Sequence, residues 1–240
     1  MPEGVWSRTV ELRSKDVNMF RKLRTSRLFE LLQEASIAHT EELGWPRETT
    51  LDRGFLWMIA MQRIEIERMP DYGETIGLKS WPGPMMHVLY PRQYRIEDEG
   101  GDVLLRGSAI WTLVDMNTRT MANPDDHGVV IEGVSTGDEL ALPGTLRPET
   151  GDHTASFTVP FSYCDLNGHM NNTRYLDVAE DHLAGPAEGR ELAAISVQYM
   201  AEIRYGDVVE LRWREDDESA YLEGARDGKR CFALRFEYRH

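Results

Sequence analysis

The chain has little cysteine, a shortage of positive charge and no long apolar run. Two cysteines in 240 residues, Cys164 and Cys231, cannot build a disulfide framework, and they lack zinc-site spacing. Lys and Arg number 27 against 41 Asp and Glu, a net charge of −14. That balance excludes nucleic acid as a general partner, because phosphate binding needs a basic footprint. No stretch approaches the about 18 consecutive apolar residues of a membrane helix. Met1-Pro2-Glu3-Gly4 does not open like a secretory leader, so the expected location is the cytoplasm. What is present is a globular balance of 41% hydrophobic and 28% charged residues, in a chain long enough for two units with a core each.

The pattern along the chain repeats. Trp6 to Leu12 alternates like a strand. Ser26 to Leu43 reads as a helix with Leu28, Leu31, Leu32, Ala35 and Ala38 on one face, ended by Gly44 and Pro46. Strands are predicted over Gly54 to Arg68, Glu74 to Trp81, His87 to Glu97 and Val103 to Asp115, the last two joined through Glu99-Gly100-Gly101-Asp102. Residues 142–153, with Pro143, Gly144, Pro148 and Gly151, read as a linker. The second half then gives a strand and turn, a helix over Thr173 to Leu183 closed by Gly185-Pro186, and strands over Glu191 to Ile203, Val208 to Arg214 and Tyr221 to Tyr238, the last a hairpin about Asp227-Gly228. Arg63-Ile64-Glu65-Ile66 through Tyr72-Gly73-Glu74 lines up with Ser196-Val197-Gln198-Tyr199 through Tyr205-Gly206-Asp207. These units are too long for solenoid repeats and read as a duplicated domain, 1–141 and 154–240, each α+β, an antiparallel sheet wrapped around one long helix.

The densest chemistry lies in Val159 to Leu176. Phe161 and Tyr163 alternate with Ser162 and Cys164, which predicts a strand; Asn167-Gly168 is a turn; Asn171, Asn172 and Thr173 are good helix N-caps. Asp165, Asn167 and His169 therefore occupy every second position just before a helix start, where backbone N–H groups are unpaired. A carboxylate, an amide and an imidazole beside free donors suit hydrolysis of an acyl bond. The same residue types also fill ordinary solvated turns.

Asp165-Leu-Asn167-Gly-His169-Met-Asn171-Asn172-Thr-Arg-Tyr175, followed by Tyr199-Met-Ala-Glu202-Ile203, resembles the acyl-acyl carrier protein (acyl-ACP) thioesterases. Trp57, Trp81-Pro82 and Ala109 to Asp115 extend the resemblance across nearly the whole chain. It implies a tandem double hotdog, hydrolysis of the thioester of a fatty acyl chain on acyl carrier protein, and release of the free fatty acid. It also implies catalytic residues at Asp165, Asn167, His169 and Glu202. Plant members have Cys immediately after that Glu; here Ile203 stands there, so a papain-like mechanism through that position is closed. The first half has Asp16-Val17-Asn18 before its helix and no following His, as in a copy without catalytic machinery that shapes the acyl pocket.

Within that frame Glu202 is the expected general base, and Asp165 is a second base or a nucleophile. Backbone N–H groups of Asn171 and Asn172 are the expected oxyanion donors. Trp57, Met58, Met61, Met85, Met86 and Trp111 are candidates for the acyl pocket, with core packing the alternative for each. Two basic clusters, Arg21, Lys22, Arg24 and Arg27, and Lys229 with Arg230, are candidate docking sites for an anionic carrier, with solvated surface the alternative. No cofactor or metal is expected, nor a membrane span. A duplicated chain can pair with itself, so a monomer or a homodimer is expected. An acyl-CoA thioesterase or a non-catalytic acyl-binding module on the same fold are the competing readings; a dehydratase of this fold would not need this residue set.

Overall fold

The computed structural model describes residues 4–138 and 140–239; Met1 to Glu3, read above for a leader, lie outside them. The first half runs β1 (Trp6–Glu11), α1 (Thr25–Glu42), α2 (Arg47–Asp52), β2 (Phe55–Ile66), β3 (Thr75–Pro82), β4 (Leu89–Glu97), β5 (Val103–Asp115) and α3 (Pro124–His127). The second runs β6 (His153–Thr158), α4 (Arg174–His182), α5 (Ala184–Glu188), β7 (Leu192–Tyr199), β8 (Val208–Glu215), β9 (Ser219–Arg226) and β10 (Lys229–Tyr238).

All ten strands form one sheet in the order β1-β3-β4-β5-β2-β7-β10-β9-β8-β6. The second half repeats the order of the first and is joined to it back to back, through antiparallel pairing of β2 with β7 from Met61↔Gln198 to Glu65↔Ala194. This is a tandem double hotdog. The aligned repeat segments are thus direct neighbours: Arg63 faces Ser196 across the junction and donates to its Oγ at 3.0 Å.

The helices sit inside the curl because their apolar faces have nowhere else to go. Leu28, Leu31, Leu32 and Ala35 of α1 are buried with Tyr175, Leu176 and Ala179 of α4 in one continuous core shared by both halves. Thr25 Oγ1 donates to Glu180 Oε1 at 2.8 Å, linking the two helices. A second, smaller core of Phe55, Tyr90, Leu113, Ala122, Val129 and Ile131 closes one end of the first unit.

Two local expectations are corrected. Phe161 to Tyr163 is a single 3-10 turn, not a strand. Pro160 starts it, and the N–H groups of Tyr163 and Cys164 bond back to Pro160 and Phe161. The strand lies earlier, at β6, where alternating exposed residues on a sheet edge gave little apolar signal. Gly185 and Pro186 lie within α5 rather than beyond a helix end; its first turn tolerates proline, and Glu215 caps the N–H groups of Ala184 and Gly185 at 2.7 and 2.8 Å. The linker residues lie along the outer sheet surface: Leu146 N–H donates to Gln198 Oε1 at 2.9 Å and its carbonyl accepts from Arg230 at 3.1 Å.

Close packing around α4 leaves room for only hydrogen at Gly224, where a Cβ would lie 2.1 Å from Phe232 Cε1. Phe232 is fully buried and meets Tyr175 edge to face. Gly224→Ala is expected to cost about 1–3 kcal/mol of unfolding free energy, read by denaturant titration; an unchanged midpoint would show that Phe232 has space to move.

Candidate active site

The loop before α4 is built by its own backbone. Asp165 N–H donates to His169 O at 2.8 Å, and Gly168 turns the chain at φ +76°. Asp165 Oδ1 accepts from the N–H groups of Asn167 at 2.8 Å and His169 at 3.3 Å. One carboxylate oxygen is therefore committed to holding the loop, and Oδ2 is left over. The first half contains the same loop, with Asn18 Oδ1 accepting from Phe20 N–H at 3.0 Å and Lys22 N–H at 3.1 Å. Asn18, not Asp16, is thus the counterpart of Asp165. Lys22, the counterpart of His169, is paired with Asp71 at 2.8 Å.

The loop meets the strand end across a short bridge. Met170 N–H donates to Ile203 O at 2.7 Å, and His169 bridges to Arg204. This brings His169 Nε2 to 3.1 Å from Glu202 Oε2, with both side chains largely shielded. Arg119 Nη1 lies 3.2 Å from Glu202 Oε1, and Arg204 Nη2 lies 3.4 Å from Oε2. Asn167 Oδ1 accepts from Arg47 Nη2 at 2.6 Å, which fixes its amide and leaves Nδ2 as a donor.

Of the two oxyanion candidates one is spoken for. Asn171 N–H donates to Tyr163 O at 2.8 Å, closing the loop, and Asn171 Oδ1 caps Thr173 N–H at 2.9 Å. Asn172 N–H has no partner among the described residues, while its carbonyl accepts from Tyr199 Oη at 3.0 Å.

Two spaces that share a wall flank the site, and a third of about 380 Å³ touches Asn167 and His169 beside Arg47 and Arg204. A cleft of about 780 Å³ lies where β2 and β7 diverge; Asp165, Asn167, His169 and Glu202 line it, with Met58 and Tyr199 on its walls. A second cavity of about 240 Å³ lies between the later turns of α1 and the first-half sheet, bounded by Trp57, Tyr90 and Trp111. Leu56, Trp57, Asp165, Asn167 and Asn172 line both.

Several candidates lie elsewhere. A bulge between Ile59 and Met61 inverts the alternation of β2, so Met61 shares a face with Arg63 and Glu65, away from buried Ile64. Met85 packs on the smaller core, and Met86 is exposed in the β3–β4 connection. Arg21, Lys22, Arg24 and Arg27 stand at the start of α1, whereas the cavity borders its far end. Arg27 is held by Asp16 at 2.7 Å and Glu30 at 2.9 Å. Arg230 is spent on Leu146, Tyr221 and Glu223. Lys229 alone of these lines the cleft, joined there by Arg119, Arg204 and Arg226. Sequence reasoning missed Arg47, Arg119 and Arg204. Only Arg204, two residues from Glu202, carried a local signal. Among the described residues Cys164 Sγ has one hydrogen-bond contact, to Pro160 O at 4.0 Å, and the side chain packs against the main core. Cys231 is buried, and burial pushes its thiol up.

Sequence profiles for the acyl-ACP thioesterase N-terminal domain and C-terminal domain match residues 3–128 and 147–239. The chain belongs to the acyl-ACP thioesterase family. It is 25% identical over 230 residues to acyl-[acyl-carrier-protein] hydrolase FATB3, chloroplastic, of Cuphea viscosissima, a match covering 87% of this chain and 54% of that protein. It is 25% identical over 226 residues to dodecanoyl-[acyl-carrier-protein] hydrolase, chloroplastic, of Cinnamomum camphora, covering 87% and 59%. The chain thus spans little more than half the length of these curated relatives. An acyl-ACP thioesterase structure from Bacteroides thetaiotaomicron superposes with a TM-score of 0.86 at 18% identity over 98% of each chain. The 12:0-ACP thioesterase from Umbellularia californica gives 0.83 at 20% identity, covering 100% and 98%. At these identities the structural likeness establishes the fold.

Beside the smaller cavity, burial and then the charge of Arg92 lower His39 from its ordinary 6.5 to about 4. His39 is therefore neutral in the folded protein where the unfolded chain already binds a proton. Stability should be complete above about pH 6.5 and fall as pH drops toward 4. Melting temperature against pH should show a shallower fall for His39→Asn; parallel curves would remove His39 as the cause.

Proposed function

We propose that the protein hydrolyses the thioester of a fatty acyl chain on acyl carrier protein, releasing the free acid and ending elongation. The observation that carries this reading is the 3.1 Å approach of His169 to Glu202 in a cleft that shares five lining residues with a neighbouring cavity, in a chain of the acyl-ACP thioesterase family. Glu202 takes a proton from water as the water oxygen adds to the thioester carbonyl. His169 orients Glu202 and relays the proton to the departing thiolate. Asn172 N–H, with Asn167 Nδ2, stabilises the oxyanion; one such donor is worth on the order of 10²–10³ in rate. Asp165 shapes the loop through Oδ1, with Oδ2 available as a second base.

The cleft mouth supports an anionic carrier. Arg119 and Arg204 are more than half exposed there, beside Lys229, on a molecule otherwise strongly acidic. A phosphopantetheine phosphate and an acidic carrier surface would be drawn to this patch and repelled elsewhere. An acyl-CoA shares the same arm, so the two substrates are compared directly at equal concentration. Faster release from the carrier-linked chain is expected; faster release from CoA would assign the protein to CoA esters.

His169→Ala and Glu202→Ala should each lower turnover at least about 100-fold with the fold retained, the usual size of an acid–base contribution. Cys164→Ala should keep activity. Wild-type rates in both of the first two variants would end the hydrolase reading, and a folded but inactive Cys164→Ala would point to a cysteine mechanism.

A further inference from the structure

The two copies treat the start of their helix differently, and the difference lies in a residue supplied by the opposite half. Ser26-Arg27-Leu28 of α1 lines up with Thr173-Arg174-Tyr175 of α4. In the same register Thr25 matches Asn172, and Gln33 matches Glu180. The structure keeps this exchange. Helices α1 and α4 pack on each other, and each lays one side chain on the start of the other. Glu180 of α4 reaches Thr25, and Gln33 of α1 reaches Asn172.

Glu180 takes both donors at its end. Thr25 Oγ1 donates to Glu180 Oε1 at 2.8 Å, and Thr25 N–H bonds to the same carboxylate. The start of α1 is thereby closed, with an acid where a developing negative charge would have to sit. At α4 the visiting side chain is an amide. Asn172 Nδ2 donates to Gln33 Oε1 at 3.3 Å, and Asn172 N–H makes no hydrogen bond to the described residues. Tyr199 holds the other side of this residue, its Oη donating to Asn172 O at 3.0 Å. Ile66, which lines up with Tyr199 in the first half, has no such donor. Gln33 lines the smaller cavity together with Asp165, Asn167 and Asn172. It therefore borders the reacting groups, although it comes from the half without them.

Charge separates the two arrangements. A helix start favours a carboxylate, and one that accepts the first N–H groups is a good cap. The same carboxylate in the catalytic copy would consume the Asn172 donor and repel an oxyanion. An amide carries no charge, so it ties the Asn172 side chain and leaves the backbone donor unclaimed. Capping alone gives no reason for the acid to stand in the silent copy and the amide in the other.

We infer that Gln33 is a positioning residue for thioester hydrolysis, supplied by the first half: it holds Asn172 in place, and its neutrality keeps the Asn172 N–H free for the carbonyl oxygen of the substrate. The inference rests on the proposed thioesterase reaction and deepens it. Helix α1 then has a part in the chemistry as well as in the cavity wall.

The test uses Gln33→Glu, Gln33→Met and, as a control, Glu180→Gln, with carrier-linked fatty acyl chains as substrate. Gln33→Glu should lower kcat at least about 100-fold, the size of one lost oxyanion donor. KM should stay within about threefold, as for an interaction made only in the transition state. The melting temperature should be kept or raised, since the new carboxylate caps α4 as Glu180 caps α1. The deficit against wild type, measured at each pH, should shrink as pH falls, because the protonated carboxyl is neutral and again leaves the N–H free. Gln33→Met should lower kcat at least about tenfold, since a slightly misplaced catalytic group is costly. Glu180→Gln should match the wild-type kcat. Wild-type kcat in Gln33→Glu overturns the inference. So does a deficit that stays constant with pH, the mark of a packing defect, and so does an equal loss of kcat in Glu180→Gln. Should Gln33→Glu not fold, Gln33→Met decides, and a wild-type kcat there rejects the role. If the wild type releases no fatty acid from any carrier-linked chain, the hydrolase reading fails and the inference falls with it. Wild-type turnover with an unaffected Gln33→Glu rejects the inference alone.

Discussion

The structure depends on the short antiparallel pairing of β2 with β7. Five residue pairs make two curled sheets into one. The junction is reinforced by Arg63, which donates to Ser196 and to Glu237 at 2.6 Å. Pairing stops at Met61 and Gln198, where the bulge in β2 turns the strand away from its neighbour. The space between the diverging ends is the cleft. Loop, strand end and bulge are thus consequences of one register.

Duplication explains how such a cleft can be one-sided. Both copies build the same loop before their helix, with one side-chain oxygen capping two backbone N–H groups. In the second copy that oxygen belongs to Asp165 and the following pair is His169 with Glu202. In the first it belongs to Asn18, and the equivalent position holds a Lys22–Asp71 ion pair. The turn needs only an acceptor, which an amide provides as well as a carboxylate. The acid at Asp165 is therefore more than the turn requires. The first copy contributes α1 and its sheet as cavity walls instead.

The long elements and the repeat were legible because their periodicities are strong. Helix α1 and strands β2 to β5 and β7 to β10 bury alternate or stacked apolar residues in the expected pattern. β6 was not legible, since an edge strand with half its residues in solvent resembles a loop. Val159 to Cys164 misled because alternation cannot distinguish a strand from a turn that begins at proline. The motif marked Asp165, Asn167, His169 and Glu202 as a group, and the fold brings them together. Arg47 and Arg119 could not be found, since their contacts with Asn167 and Glu202 span more than a hundred positions of sequence for Arg47 and about eighty for Arg119. Met61 was misassigned for a similar reason: one inserted residue in β2 decides which face it occupies.

The linkage between β2 and β7 also bears on how the molecule comes into being. Loop-closure entropy must be spent before contacts between such distant segments can form, and pairings of this kind are slow. Each curled unit can gather its own helix and hairpins first. The cleft has no existence until the units have docked, so nascent chains would acquire strand content before they acquire competence.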